Sequence, residues 1–200
     1  MTKTIAIIAG EPNSISSEII FKNWKLNKNK FNKKFFIIGS LALLETQKKK
    51  LNYKIKFKKI NNNFKSSDFS PNEMPIYNVN YQQKKAFEEI SVKSNQYIIK
   101  CFDEAIKFIK KNKVLGIINC PISKEYLFKK KHQGITEFLA KKIGKKGNEV
   151  MLIYNKELAV SPITTHIPLS SVSKKINKNK IIKNVIIINS FYKKNFKKKT

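Results

Sequence analysis

Short, largely apolar runs recur along this chain with helix-forming segments between them. Thr4–Ala9 (TIAIIA), Phe35–Ile38 (FFII) and Leu115–Cys120 (LGIINC) are such runs, closed by Gly10, Gly39 and Pro121 respectively. A run apolar on consecutive positions has no polar face, so as a strand it is buried on both sides. The intervening segments carry apolar residues at helical spacing. Ile15, Ile19, Ile20 and Trp24 mark one helix over Ile15–Leu26. Ser40 stands where an N-cap would precede a helix over Leu41–Lys49. The longest helical stretch is Lys84–Asn112, with Ile98, Cys101, Phe102, Ala105 and Ile109 on one face and Cys101 therefore in the core. Strands alternating with helices predict an α/β protein whose largely parallel sheet is flanked by helices.

The rest of the pattern is less regular. Tyr53, Ile55 and Phe57 alternate with lysines, as in a half-buried strand near a sheet edge. Asn61–Pro75 is polar, holds two prolines and reads as a loop. Thr136–Lys142 is a short helix stopped near Gly144, and Val150–Tyr154 with Leu158–Ile163 form a hairpin through Asn155–Glu157. Ser170–Lys180 allows a short helix, and the β-branched run Val185–Ile188 predicts one more buried strand. The division expected is a first α/β domain over 1–130 and the start of a second, substrate- and metal-binding domain over 131–200.

Charge narrows the partners. The formal net charge is +29, yet every basic residue is lysine and none is arginine. Nucleic-acid readers rely on the bidentate guanidinium, so a polyanion partner is disfavoured and a solvated lysine surface, typical of an AT-rich genome, is expected. Runs such as Lys48–Lys50 and Lys129–Lys131 fit helix ends, and His132 in its lysine-rich stretch fits an exposed site. No apolar run approaches the roughly 18 residues of a membrane span, and no signal peptide is apparent. Cys101 and Cys120 form no CxxC pair, so a reducing cytoplasm is expected.

Parallel α/β sheets gather ligands at the carboxyl ends of their strands, where four segments with distinctive chemistry fall. The turn Gly10–Glu18 (GEPNSISSE) either presents N–H groups to an anion or is a plain connection capped by Ser14 or Ser16. It is not a GxGxxG fingerprint. Asn119–Lys124 (NCPISK) places Lys124 just past a strand, where its amine could hold an anion or assist proton transfer, or simply be exposed. Gly134–Ala140 (GITEFLA) puts Thr136 at a helix start, where it could hold a phosphate or cap the helix. Thr164–Leu169 (TTHIPL) places His166 directly after a strand, as a metal ligand or a structural imidazole.

In order and spacing, these four segments resemble the 4-hydroxythreonine-4-phosphate dehydrogenase family. That family carries a Gly-Asp-Pro-Ala-Gly-Ile-Gly-x-Glu turn, then Thr-Gly-Pro-x-x-Lys, Gly-His-Thr-Glu-Phe-Leu and Thr-Thr-His-x-Pro-Leu. TTHIPL matches in full, and VMLIYNKELAV resembles the paired strands before the family's histidine. The resemblance covers the whole chain. It implies a fold like isocitrate and isopropylmalate dehydrogenases, truncated here before completion. It also implies NAD-dependent oxidation, with decarboxylation, of 4-phosphooxy-L-threonine to 3-amino-2-oxopropyl phosphate in pyridoxine 5'-phosphate biosynthesis. NAD and a divalent metal (Zn, Mg or Co) are the implied cofactors, the substrate is a phosphorylated hydroxy amino acid, and the full-length protein would be a cytoplasmic homodimer.

Residue by residue, His166 matches a metal ligand, Thr136 a substrate-contacting threonine and Lys124 a motif lysine with a catalytic role. Ile135 stands where the family has a substrate-contacting histidine, and Ser14 and Ser16 replace two turn glycines. After the strand expected at Val185–Ile188, the family carries an Asn-Pro-His-Ala-Gly-Glu segment. Here the residues are Asn189-Ser190-Phe191-Tyr192, so one imidazole is left to hold a metal. Two alternatives follow: a related dehydrogenase acting on another 3-hydroxy acid, suggested by Ile135, and a charge-driven nucleic-acid-binding module.

Overall fold

The computed structural model describes residues 4–27, 34–128 and 134–196. Lys129–Lys131 and His132 lie outside them. The chain divides into two compact units, Met1–Lys129 and Lys130–Thr200.

The first unit is built on a parallel sheet. Strands β1 (Ile5–Ile8), β2 (Phe35–Gly39), β3 (Lys56–Ile60), β4 (Glu73–Asn78) and β5 (Gly116–Asn119) lie in the order β3-β4-β2-β1-β5. β1 is flanked by parallel partners, with Ile5 opposite Phe35 on one side and Gly116 on the other. Ala6 and Ile8 are wholly buried and β2 is buried along its length, as its run of apolar residues requires. Successive side chains point to opposite faces. On one face, helix α1 (Ser16–Asn27) contributes Ile20, Phe21 and Trp24 to a core with Ile37, Leu44 and Met74, and Trp24 meets Phe35 edge to face at 5.5 Å. Phe36 meets Phe108 of helix α3 (Asn95–Lys110) at 5.2 Å. Helix α2 (Leu41–Lys50) starts as expected, the Ser40 hydroxyl accepting the Leu43 N–H, and ends on Lys48–Lys50. Helix α4 (Lys124–Phe128) follows β5.

Three expectations for this unit need correction. The polar segment does not run to Pro75 as a loop, because β4 begins at Glu73 and is an interior strand. Pro75 is tolerated because pairing with β2 covers only Ile76–Asn78, one residue beyond it. The long helix starts at Asn95 rather than Lys84. Side chains take the backbone bonds of the preceding loop: Glu88 Oε1 accepts the N–H groups of Lys84 and Lys85, and Asn13 Oδ1 accepts that of Glu88. Finally, β5 is the sheet's edge among the described residues and is only half-buried, with Ile118 52% exposed.

The second unit opens with helix α5 (Ile135–Lys142), N-capped by Gly134 and closed by Gly144 at φ +71°. β6 (Ile153–Tyr154) and β7 (Ala159–Val160) form the expected antiparallel hairpin, with shorter strands than the apolar runs suggested. Helix α6 (Val172–Lys175) precedes helix α7 (Lys178–Phe196). Val185–Ile188 is therefore helical, not a strand, and α7 has no buried residue. A helix closes its own backbone hydrogen bonds, so a β-branched run can satisfy its N–H and C=O groups without joining a sheet. Asn189–Tyr192 continue the same helix. Tyr154 stacks on Phe196 at 5.5 Å, tying the end of α7 to the hairpin.

Candidate functional site

In the first unit the opening turn knits together the carboxyl ends of β1 and β5. Gly10 sits at φ +76°, and a side chain there would collide with the Pro121 carbonyl oxygen. That oxygen accepts the Glu11 N–H at 2.9 Å and the Ser16 hydroxyl at 3.2 Å. The Ser14 hydroxyl donates to the Glu11 carbonyl oxygen at 2.8 Å and accepts the Ser16 N–H at the entrance to α1. The two serines that replace family glycines thus bond the turn to itself.

Glu11 was not singled out from sequence. It is 1% exposed, accepting from the Ser94 hydroxyl at 2.9 Å and from the Asn13 N–H at 3.2 Å. Burial raises its carboxyl above the usual range, against the opposing pull of those two donors. Asn13 extends the network: its Oδ1 accepts from Gln83 Nε2 and the Glu88 N–H, both at 2.8 Å. Gln47 Nε2 donates to the Pro12 and Ala86 carbonyl oxygens. The loop after β4 is therefore fastened across the carboxyl end of the sheet. A cleft of about 640 Å³ opens there, lined by Ser40, Asn78, Asn80 and Tyr81 among others. With β4 unrecognised in the sequence, this part of the sheet's carboxyl end could not be foreseen.

Lys124 begins α4 and is exposed. Cys120, close before it, is buried, and burial pushes its thiol up to about 11; the Cys101 thiol rises to about 12 for the same reason. Both stay protonated at neutral pH and serve packing rather than nucleophilic attack.

The other three predicted residues belong to the second unit, where Ile135 and Thr136 form the first turn of α5, Ile135 half-buried and Thr136 exposed. His166 is exposed and holds φ +54°, a left-handed conformation that non-glycine residues seldom adopt. The space beside the Gly134 α-carbon, where a side chain would begin, is bordered by Glu137 Oε2 at 3.0 Å and His166 Nε2 at 4.0 Å. The fold thus brings His166 to the start of the helix that carries Ile135 and Thr136. Glu137 was visible only as part of a motif.

Among the described residues, no three His, Cys, Asp or Glu side chains converge as a metal would need. His166 can supply one ligand, and the rest of a set is not found among these residues.

Comparison with known proteins bears on the whole chain. A 4-hydroxythreonine-4-phosphate dehydrogenase from Sulfurihydrogenibium sp. is 35% identical over 199 residues, covering 96% of this chain and 58% of the relative. One from Aquifex aeolicus is 32% identical, covering 98% of this chain and 60% of the relative. This chain therefore spans about three-fifths of the length of the curated relatives it matches. A solved structure of the Klebsiella pneumoniae enzyme of that name superposes with a TM-score of 0.80 at 22% identity, over 96% of this chain and 60% of that one. The Burkholderia phymatum structure gives 0.81 at 19% identity, over 95% and 58%. At such identities the structures establish the fold. The family model described as pyridoxal phosphate biosynthetic protein PdxA matches residues 31–200, and the chain belongs to that family.

Proposed function

We propose that this chain supplies the N-terminal portion of an NAD-dependent dehydrogenase that oxidises 4-phosphooxy-L-threonine to a β-keto acid. Loss of CO2 then gives 3-amino-2-oxopropyl phosphate for pyridoxine 5'-phosphate synthesis. Family membership together with the gathering of Thr136 and His166 in one unit carries this reading. When bound, NAD takes the hydride and a divalent cation makes the substrate hydroxyl easier to deprotonate.

This chain's own residues bind and orient. The Thr136 hydroxyl, on the exposed first turn of α5, donates to a substrate oxygen. His166 offers a ring nitrogen from an exposed position in the loop after the hairpin. Lys124 offers its ammonium to a substrate anion. Cytoplasmic location and a homodimeric full-length protein complete the reading. The second reading, oxidation of another 3-hydroxy acid, is favoured by Ile135, whose half-buried side chain can neither hydrogen-bond nor titrate beside Thr136.

The test is NADH formation by the full-length protein carrying this chain, with phosphorylated and unphosphorylated hydroxy acids and each of Zn²⁺, Mg²⁺ and Co²⁺. Turnover on 4-phosphooxy-L-threonine is expected, and none with any metal would sink the assignment. Preference for an unphosphorylated acid would favour the second reading. The 200-residue chain alone is expected to show no useful turnover.

A further inference from the structure

Two clefts of the first unit are rimmed by lysines, one by Lys65 and Lys113, the other by Lys22, Lys25 and Lys54. The cleft of about 640 Å³ at the carboxyl ends of β2 and β4 differs from both: among the described residues no lysine lines it, although the chain has 42. Its one charged residue, Glu45, is paired with Lys48 at 2.6 Å. The start of α2 beside it is already capped, Asn78 Oδ1 accepting the Leu41 N–H at 2.8 Å and Ser40 Oγ that of Leu43 at 3.3 Å. An anion entering the cleft meets no lining cation and finds these two donors taken.

The cleft offers instead a fixed aromatic ring and side-chain amides. Tyr81 borders it and stacks on Tyr97, with ring centres 4.7 Å apart and planes 24° from parallel. Tyr97 is buried and accepts the Ser40 N–H through its hydroxyl at 3.0 Å, and the Tyr81 carbonyl accepts the Ser40 hydroxyl at 2.8 Å. Tyr81 is thus held both at its ring and at its backbone, so a planar ligand that stacks on it has little to order. Asn80 and Gln82 stand exposed on the same cleft, and Asn78 Nδ2 donates to Asn80 Oδ1 at 2.6 Å, which leaves the Asn80 amino group to donate elsewhere. A side-chain amide both donates and accepts, and it matches the amine and ring-nitrogen edge of adenine.

We propose that this cleft takes an adenine ring, stacked on Tyr81 with its edge against Asn80 and Gln82. In the dehydrogenase the ring is that of NAD, a step that rests on the reading of NAD as oxidant. The competing role for Tyr81 is packing alone, as a cover for Tyr97 within the loop after β4.

The experiment uses the 200-residue chain with adenosine alone as probe, followed by saturation-transfer NMR and shift titration. Weak saturable binding is expected of the parent, with inosine, which lacks the exocyclic amine, binding less well. Tyr81→Phe should bind like the parent, and Tyr81→Leu should lose about tenfold or more. Asn80→Ala combined with Gln82→Ala, two exposed positions, should abolish the preference over inosine, and this pair decides the matter if Tyr81→Leu does not fold. No saturable binding by the parent, parent-like affinity in folded Tyr81→Leu, or an unchanged preference in the amide pair would each overturn the proposal. In the full-length protein, Tyr81→Leu should raise KM for NAD about tenfold with kcat little changed. Turnover with that KM unmoved would overturn the cleft assignment and leave the dehydrogenase reading standing. Adenosine binding by the chain, with no turnover by the full-length protein, would do the reverse.

Discussion

The Ser94 hydroxyl donates to Glu11 Oε2 at 2.9 Å, joining residues 83 positions apart at the carboxyl end of the parallel sheet. Burial opposes the charge on Glu11, and Ser94 is one of two donors that favour it. Ser94→Ala is expected to cost about 1–3 kcal/mol, the range for leaving a buried acceptor unsatisfied, measured by urea unfolding near neutral pH.

The raised Glu11 carboxyl has a defined pH signature. A group whose folded pKa lies above its unfolded value of 4.5 takes up protons on folding. Its contribution to stability is full below 4.5 and is lost as pH rises through the folded value. Unfolding free energies at intervals between about pH 4 and 7 should show this loss in the parent and not in Glu11→Gln. Identical pH profiles would contradict the assignment.

Asn13 fastens the loop after β4 through Gln83, the Glu88 N–H and the Glu89 carbonyl oxygen. Asn13→Ala should speed hydrogen exchange at Glu88 and expose 82–91 to proteolysis, with α3 remaining protected. Exchange at Glu88 as slow as in the parent would show that Gln47 alone secures the loop.

Cys101 and Cys120, with thiols at about 12 and 11, should be unreactive towards a disulfide reagent in the native chain and both titrate after denaturation. Rapid native labelling of Cys120 would reopen its case as a nucleophile.

The left-handed backbone at His166 separates strain from chemistry. His166→Gly should be neutral to within about 0.5 kcal/mol, whereas His166→Val, β-branched, should lose about 1 kcal/mol or more in thermal or urea unfolding. Equal stabilities would show that the backbone relaxes there.

What the sequence could reveal was local. TIAIIA, FFII and LGIINC are apolar on consecutive positions, and β1, β2 and β5 form from them. Ser40 caps α2 and Gly144 stops α5 through contacts within a few residues. TTHIPL and GITEFLA identified the family because motif chemistry is written in sequence order. The errors arose where a segment's state depends on distant partners. Glu73–Asn78 is a strand because β2 and β3 flank it, and Pro75 obscured that. Lys84–Glu88 is not helical because Asn13 and the Glu88 carboxylate take its N–H groups. Val185–Ile188 is apolar enough for either state, and it lies in α7, where the helix satisfies its own backbone groups.

The sequence by itself therefore determined the alternating α/β plan, the family and the identity of Lys124, Ile135, Thr136 and His166 as residues to watch. Tertiary structure alone decided that Glu11 is buried against Ser94, that Asn13 fastens a loop 70 to 76 residues away, and that Glu137 and His166 border one space beside Gly134. Periodicity and caps act over a few residues, whereas burial, hydrogen-bond satisfaction and carboxyl basicity depend on which distant segments the fold packs together.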